Sequence, residues 1–356
     1  MKKHNFNSGP SVLPDEVVRA AAESIRDFNG SGLSVLELGH RTSLFIDVLE
    51  SARKMVKELM ELDEAYEVLF LHGGASTQFM QVPLNLLNQD ETAAFCDNGI
   101  WGKKAIKEAG FFGTPLVVAS SQDKENTYIP KDFIVPDYVK YFHYTSNNTV
   151  EGTQWHSIPE VSVPIVADMS SDIFSKPLEF NKFSLIYAGA QKNVGAAGTT
   201  IVVIKKDILG KVDRPIPTML DYIKHIEAGS LLNTAPVFSI YVSYLTLKWI
   251  IAEGGLTEMK RRSEARANLF YNTLDSLPVF IPKVAKEDRS LMNATFSIAD
   301  REKEKAFLKL CDDNGMVGIK GHRSVGGLRV SMYNALPLSS VEALCEVMRH
   351  FNNTFA

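Results

Sequence analysis

Cysteine is scarce in this sequence, and no long apolar run or excess of basic residues occurs. The 356-residue chain has three cysteines, Cys96, Cys311 and Cys345, which lie far apart. No Cys-x-x-Cys or His-rich spacing indicates a metal site, and so few cysteines favour a reducing compartment. No run approaches the ~20 apolar residues of a membrane-spanning helix. The formal charge of −4 argues against a nucleic-acid partner, because such proteins normally carry a basic face.

The N-terminal stretch MKKHNFNSGPSVLP is basic, but no apolar segment follows it. This pattern predicts no secretory signal. We therefore expect a soluble cytoplasmic protein that has neither a membrane nor a nucleic acid as its partner.

Hydrophobic residues make up 45% of the chain, enough to bury a sizeable core. Short apolar runs alternate with helical patterns, which is typical of an α/β domain around a mostly parallel sheet. Seven such runs predict seven strands: YEVLFL, TAAFCD, TPLVVAS, YVKYFHYT, VPIVAD, FSLIYAG and GTTIVVIK.

From about Leu256 the pattern changes to long charged amphipathic helices and two further strands. This region has roughly a hundred residues, the size of a small α/β domain. We expect a large domain over residues 16–255 and a small domain formed by residues 1–15 and 256–356.

Four loops follow predicted strands, where ligands gather in parallel α/β sheets. Gly73 and Gly74 lead into Ala75 and Ser76 at the start of an apolar helix, which suits a phosphate group. Trp101 follows a second strand, Asp168 ends a third, and Lys192 lies in the small-residue run YAGAQKNVGAAG.

Each signal alone also has an ordinary structural explanation: a helix cap, a packing tryptophan, a turn aspartate or a solvated surface lysine. Together they match pyridoxal phosphate. That cofactor uses a lysine for covalent attachment, an acid at its ring nitrogen, an aromatic side chain against its ring and a helix end for its phosphate.

The blocks FNSGPSVLP, GHRTS, VADMSSD, YAGAQKNVG, NTAPVFSIY and GHRSVGGLRVSMYNA resemble the phosphoserine aminotransferase family from end to end. The resemblance implies a fold-type-I pyridoxal-phosphate enzyme with a mostly parallel seven-stranded sheet, forming a homodimer with shared active sites. The implied reaction moves an amino group from glutamate to 3-phosphohydroxypyruvate in serine biosynthesis. It also implies formation of 4-phosphohydroxy-L-threonine, on the route to pyridoxal phosphate.

The resemblance also implies roles for individual residues. Lys192 would hold the cofactor covalently, Asp168 would pair with its ring nitrogen and Trp101 would stack on its ring. The remaining cofactor contacts would come from Ala75, Ser76, Thr149 and Gln191, and from Asn233 and Thr234 of the neighbouring subunit.

Two Gly-His-Arg triplets predict where an acidic substrate binds, because arginine suits both carboxylate and phosphate. By the resemblance, Arg329 would hold the α-carboxylate, and His40, Arg41, His322 and Arg323 would serve the distal acidic group. Some relatives carry an arginine where Ser76 stands. One substrate-binding charge is therefore missing here or is supplied by another residue.

Two alternatives keep the fold and change the reaction: an alanine–glyoxylate (serine–pyruvate) type transaminase, and a cysteine desulfurase. A desulfurase needs a reactive cysteine on a mobile loop, whereas Cys311 falls in a predicted helix. A third alternative, a non-enzymatic nucleotide-binding module, lacks both Gly-x-Gly-x-x-Gly and the phosphate-loop lysine.

Overall fold

The computed structural model describes residues 3–355. The strands are β1 (His4–Asn5), β2 (Tyr66–Leu71), β3 (Thr92–Asp97), β4 (Thr114–Ser120), β5 (Phe142–Thr145), β6 (Ile165–Asp168), β7 (Leu185–Gly189), β8 (Thr200–Lys205), β9 (Ile281–Pro282), β10 (Asn293–Ser297), β11 (Met316–Val317) and β12 (Leu328–Ser331). The α-helices are α1 (Asp15–Arg26), α2 (Ser43–Leu59), α3 (Gly74–Leu86), α4 (Ile100–Ala109), α5 (Tyr222–Glu227), α6 (Val237–Ala252), α7 (Gly255–Ser276), α8 (Arg301–Asp313) and α9 (Leu338–Phe355).

Seven strands form one sheet in the order β2-β8-β7-β6-β5-β3-β4. The strand β8 runs antiparallel to both neighbours, and the other pairings are parallel. The predicted α/β fold with a mostly parallel seven-stranded sheet is therefore confirmed. A separate antiparallel sheet joins β12, β10 and β9, and β1 pairs with β11.

The strand predictions from apolar runs are too long at four places. In FSLIYAG and GTTIVVIK the strands begin two residues into the run, at Leu185 and Thr200. The run YVKYFHYT becomes a strand only at Phe142, because residues 138–140 form a turn. In VPIVAD, β6 begins at Ile165, since Pro164 has no N–H to give to a ladder. The Pro164 carbonyl still accepts a hydrogen bond from the Phe142 N–H at 2.9 Å.

Both faces of the sheet are buried. Side chains alternate between the two faces along each strand, and each set packs into its own core. In β6, Ile165 and Ala167 belong to the core on one face, and Val166 belongs to the core on the other. A third core packs Phe6 against α7, α8, α9 and the small antiparallel sheet. The helix α7 contributes to two cores: Met259 packs with the large sheet and Phe270 with the small one.

The topology brings several strand ends to one edge. The strands β3, β5, β6 and β7 are parallel to one another, so their carboxyl ends lie together. The strand β2 points the same way, because it and β7 both run antiparallel to β8. The predicted loops after these strands therefore meet at this edge.

Two further properties apply to residues 3–355. No helix there is both long and apolar enough to cross a membrane. Nor does any group of three or more His, Cys, Asp or Glu side chains in this part of the chain form a possible metal site.

Candidate active site

A cavity of about 400 Å³ lies at the carboxyl edge of the sheet. Nine of the residues predicted from the sequence line it: Ala75, Ser76, Trp101, Thr149, Asp168, Gln191, Lys192, His322 and Arg329. The cavity therefore combines both ends of the predicted site, the cofactor residues and part of the substrate residues.

Lys192 follows β7 in a tight turn and is half-buried. Its Nζ donates a hydrogen bond to Thr149 Oγ1 at 2.7 Å. Burial lowers the pKa of Lys192 to about 8 against the opposing effect of Asp168, and Arg329 lowers it further. The side chain is thus a lysine whose neutral, nucleophilic form is available near neutral pH.

The N-terminal segment closes over the lysine turn. The Ser11 N–H donates to the Gln191 carbonyl at 3.0 Å, and the Ser11 hydroxyl donates to the Lys192 carbonyl. Gly9 lies against the lysine side chain, since a Cβ there would approach Lys192 Cγ to 3.3 Å at a φ of +129°. A residue with a Cβ at position 9 would therefore crowd the lysine side chain and would hold a strained backbone conformation.

Asp168 ends β6 with 4% of its surface exposed and faces the cavity. Its carboxylate accepts a hydrogen bond from the Ser170 N–H at 2.9 Å. Burial raises the pKa of Asp168, while the Ser170 hydrogen bonds and the charge of Lys192 lower it. These partners favour the carboxylate form, the form that can pair with a protonated ring nitrogen.

Trp101 lies in the first turn of α4 and packs on Phe79, with ring centroids 6.4 Å apart. Lys192 Nζ is 6.0 Å from the indole centroid, and Lys104 Nζ is 4.4 Å from it. The indole thus presents a flat surface within reach of the lysine.

The helix α3 begins at the same edge and presents its N-terminus to the cavity. Gly73 precedes it with φ +90°, and a Cβ there would lie 1.9 Å from Thr77 Oγ1. No side chain caps this end among the described residues, so the simple capping role of Ser76 or Thr77 is not observed. The N–H groups at Ala75 and Ser76 therefore suit an anion.

Arg329 lies on β12 with 8% of its surface exposed and lines the same cavity as the lysine. Its Nη1 donates to the Thr149 carbonyl at 3.2 Å, and its Nη2 donates to Ser8 Oγ at 2.6 Å. These bonds orient the guanidinium without neutralising it, which suits a carboxylate ligand. At the cavity wall, burial and the charges of Arg329, Arg323 and Lys104 lower the pKa of His322.

Five predicted residues do not line this cavity: His40, Arg41, Asn233, Thr234 and Arg323. His40 and Arg41 lie in the loop before α2, where Arg41 is exposed. Arg323 is exposed next to His322. Thr234 lies beside the α3 end, because its carbonyl accepts a hydrogen bond from His72 Nε2 at 3.1 Å.

Sequence reasoning missed several cavity residues, among them Ser8, Gly9, Thr145 and Ser170. The motif FNSGPSVLP contains Ser8 and Gly9, but nothing in the sequence indicates that they reach β12 and the lysine turn. Ser170 lies in the block VADMSSD, directly after Asp168. Thr145 ends β5 and could have been found as a polar residue at a strand end.

The residues present fit pyridoxal phosphate. A nucleophilic lysine, a buried carboxylate, an indole face and an uncapped helix end share one cavity. The buried Trp101 Nε1 and Thr145 Oγ1 have no hydrogen-bond partner among the described residues, and both residues line it. Unsatisfied buried polar atoms of this kind mark a place where a polar ligand is expected.

The chain is similar to aminotransferases over almost its whole length. The family described as "Aminotransferase class-V" matches residues 3–344. The phosphoserine aminotransferase of Flavobacterium psychrophilum is 52% identical over 354 residues, 99% of each chain. That of Bacteroides thetaiotaomicron is 51% identical over 353 residues, again 99% of each chain.

A solved structure gives the same result. The phosphoserine aminotransferase from Bacillus circulans subsp. alkalophilus superposes with a TM-score of 0.97 at 41% identity, covering 100% of this chain and 99% of that one. The resemblance seen in the sequence blocks is thereby confirmed. The chain belongs to the phosphoserine aminotransferase family of the class-V, pyridoxal-phosphate-dependent aminotransferases.

Proposed function

We propose that this protein transfers the amino group of glutamate to 3-phosphohydroxypyruvate, giving phosphoserine and 2-oxoglutarate in serine biosynthesis. The observation that carries the proposal is the cavity shared by Lys192, Asp168, Trp101, the uncapped end of α3 and Arg329. The relatives at 51–52% identity are named for this reaction.

Pyridoxal phosphate, when bound, makes the proton on the Cα of an attached amino acid acidic. Lys192 would hold the cofactor and then carry the proton to and from that Cα as base and acid. Its pKa of about 8 suits both tasks, because each protonation state is well populated near neutral pH. Asp168 would keep the proton on the ring nitrogen.

The remaining cofactor contacts are inferred from where the residues lie in the cavity. Trp101 would lie against the ring, and the N–H groups at Ala75 and Ser76 would hold the phosphate. Gln191 would lie beside that phosphate, and Thr149, now bonded to Lys192 Nζ, would contact the phenolic oxygen.

For the substrate, Arg329 would hold the α-carboxylate and His322 with Arg323 would hold the distal acid, assisted by His40 and Arg41. Ser76 is neutral and exposed. Lys104 is a cation near this position. It lies over the Trp101 ring, and its charge lowers the pKa of His322. We include Lys104 as the source of the additional positive charge.

The active form is proposed to be a homodimer in which Asn233 and Thr234 reach the partner's cofactor phosphate. The support is that both lie outside the cavity of their own chain, next to an apolar helix α6. Mixing Lys192→Ala chains with chains altered at both Asn233 and Thr234 should restore activity, because each hybrid has one intact site. Confirmed hybrid dimers that stay inactive would argue against shared sites.

The division into residues 16–255 and residues 1–15 with 256–356 is kept as a proposal. Its support is the separate core around Phe6, Phe270 and Phe307. The first turns of α7 pack on the large core through Leu256 and Met259. The boundary between the two cores would therefore lie within α7, after Met259, rather than at its first residue.

The alternatives have less support. Cys311 is 1% exposed in α8, and burial raises the pKa of its thiol to about 12, so it cannot act as a desulfurase nucleophile. An alanine–glyoxylate type transaminase would have no use for the cations near His322. The cytoplasmic location and the formation of 4-phosphohydroxy-L-threonine stay predictions.

The test is a coupled assay on the purified protein with pyridoxal phosphate. Phosphoserine and 2-oxoglutarate should yield glutamate, and replacing phosphoserine by alanine should lower kcat/KM at least a hundredfold. Equal or faster turnover of alanine with glyoxylate would overturn the assignment in favour of the alternative.

A further inference from the structure

A second cavity, of about 660 Å³, lies where the two sheets' cores meet. Its walls come from the N-terminal segment, the end of α6, the middle of α7 and the start of α9. It shares no lining residue with the active-site cavity. Its volume falls in the range of roughly 300–1,000 Å³ that small-molecule sites occupy.

A buried arginine lines this cavity. Arg266 is 2% exposed, and its Nη1 donates to the carbonyls of Asn334 at 3.3 Å and Leu336 at 3.1 Å. Its Nη2 donates to Ser263 Oγ at 3.1 Å. Nε has no partner among residues 3–355, and no carboxylate in that range lies within 4.0 Å of the guanidinium.

This cation is unusual because buried charges are normally paired. Burial lowers the pKa of Arg266 to about 10, and the charged neighbour that lowers it further is another cation, Arg262. Two acids of this region are already engaged, because Glu253 and Glu258 both accept hydrogen bonds from Arg262. Arg266 therefore remains charged at neutral pH without a counter-ion from the described chain.

The rest of the wall favours an acidic ligand with a small apolar part. Five Lys and Arg side chains line the cavity against three carboxylates. The first turn of the 18-residue helix α9 contributes Ser339 and Ser340, and the positive end of its dipole favours an anion. Leu13, Trp249 and Leu336 supply apolar surface.

We propose that this cavity binds a small organic acid whose carboxylate or phosphate group pairs with Arg266. Its hydrogen bonds to the carbonyls of residues 334 and 336 hold the guanidinium in one orientation. It is thus preorganised for a planar or tetrahedral oxyanion. None of the residues that line this cavity lines the active-site cavity, so the proposed binding is separate from the transamination chemistry.

The test titrates inorganic phosphate, and in a separate arm succinate, into the holoenzyme by calorimetry at low ionic strength. Two variants remove the site in different ways. Arg266→Met removes the charge, and Ser263→Asp gives Arg266 a carboxylate from its own helix, three residues away. Lys260→Met is the matched control, because it removes an exposed charge from α7 outside the cavity.

We expect the parent and Lys260→Met to bind one more oxyanion per chain than either variant, or to bind it at least tenfold more tightly. All four proteins keep the substrate end of the active site. Phosphate bound there adds equally to every titration and does not affect the difference between them. Preference for phosphate or succinate identifies the acidic group. If one variant fails to fold, the other decides. Equal titrations in the folded variants and the control, with both probes, would overturn the proposal.

Discussion

Two cations whose pKa values are lowered by burial, Lys192 and Arg266, differ in what surrounds them. Lys192 lies near the buried carboxylate of Asp168 and donates to a hydroxyl, and burial brings its pKa to about 8. Arg266 has only neutral acceptors and a cationic neighbour, and it stays charged with a pKa of about 10. A lysine can therefore lose its proton and react, whereas the arginine can only attract an anion.

This difference separates a site for chemistry from a site for recognition. The lysine turn is built from small residues, and Gly9 makes room for the side chain. Arg266 occupies an ordinary position in an amphipathic helix. Replacing Lys192 should therefore affect turnover, and replacing Arg266 should affect anion binding.

The largest effect should come from Lys192→Ala. The variant loses both the covalent attachment and the proton carrier, so turnover in the coupled assay should fall at least a thousandfold while the fold is retained. Arg266→Met should keep turnover within a few-fold of the parent.

Substantial transamination by Lys192→Ala without added amines would remove the residue from its catalytic role. Loss of turnover in a folded Arg266→Met protein would assign Arg266 to the reaction and contradict the separate roles of the two cations.

Asp168→Asn should lower kcat by about a hundredfold or more, because the amide cannot balance a protonated ring nitrogen. Asp172→Asn is the matched control. That carboxylate is equally buried, but it accepts from Gln154 Nε2 at 3.1 Å and does not line the cavity. Asp168→Glu should keep part of the activity. Similar single-turnover rates in the two Asn variants would contradict the assignment of Asp168.

The two ends of the substrate pocket should be separable. Arg323→Ala should lower kcat/KM for the phosphorylated substrate by about tenfold to a hundredfold, since charge-assisted hydrogen bonds contribute roughly 1.5–3 kcal/mol each. The loss for hydroxypyruvate, which lacks the phosphate, should be smaller. Arg329→Ala should impair both substrates alike, because both carry an α-carboxylate.

Equal losses on both substrates in Arg323→Ala would remove Arg323 from the phosphate end. A loss of kcat/KM in Arg329→Ala that appears only with the phosphorylated substrate would assign Arg329 to the phosphate end instead of the α-carboxylate end.

The sequence predicts the sheet and most of the cavity because strand ends in a parallel sheet meet at one edge. Asp168, Lys192 and Trp101 are recognisable there as reactive residue types after apolar runs. Ser8 could not be found this way, since its contact with Arg329 joins positions 321 residues apart. Arg266 gives no sequence signal, because its lack of a carboxylate is a property of the packing.

The smallest and most specific prediction concerns the titration of Lys192. In the apoprotein, competitive labelling with acetic anhydride should modify Lys192 with a midpoint near pH 8, because burial disfavours its protonated form. Lys224, whose pKa is raised by its hydrogen bond to Glu227, is the internal reference and should remain unreactive at that pH. In Asp168→Asn the midpoint should move lower still, since the Asp168 charge raises the pKa of Lys192. If Lys192 and Lys224 are labelled in parallel across the titration, Lys192 is an ordinary lysine. Its contrast with the permanently charged Arg266 would then lose its physical basis.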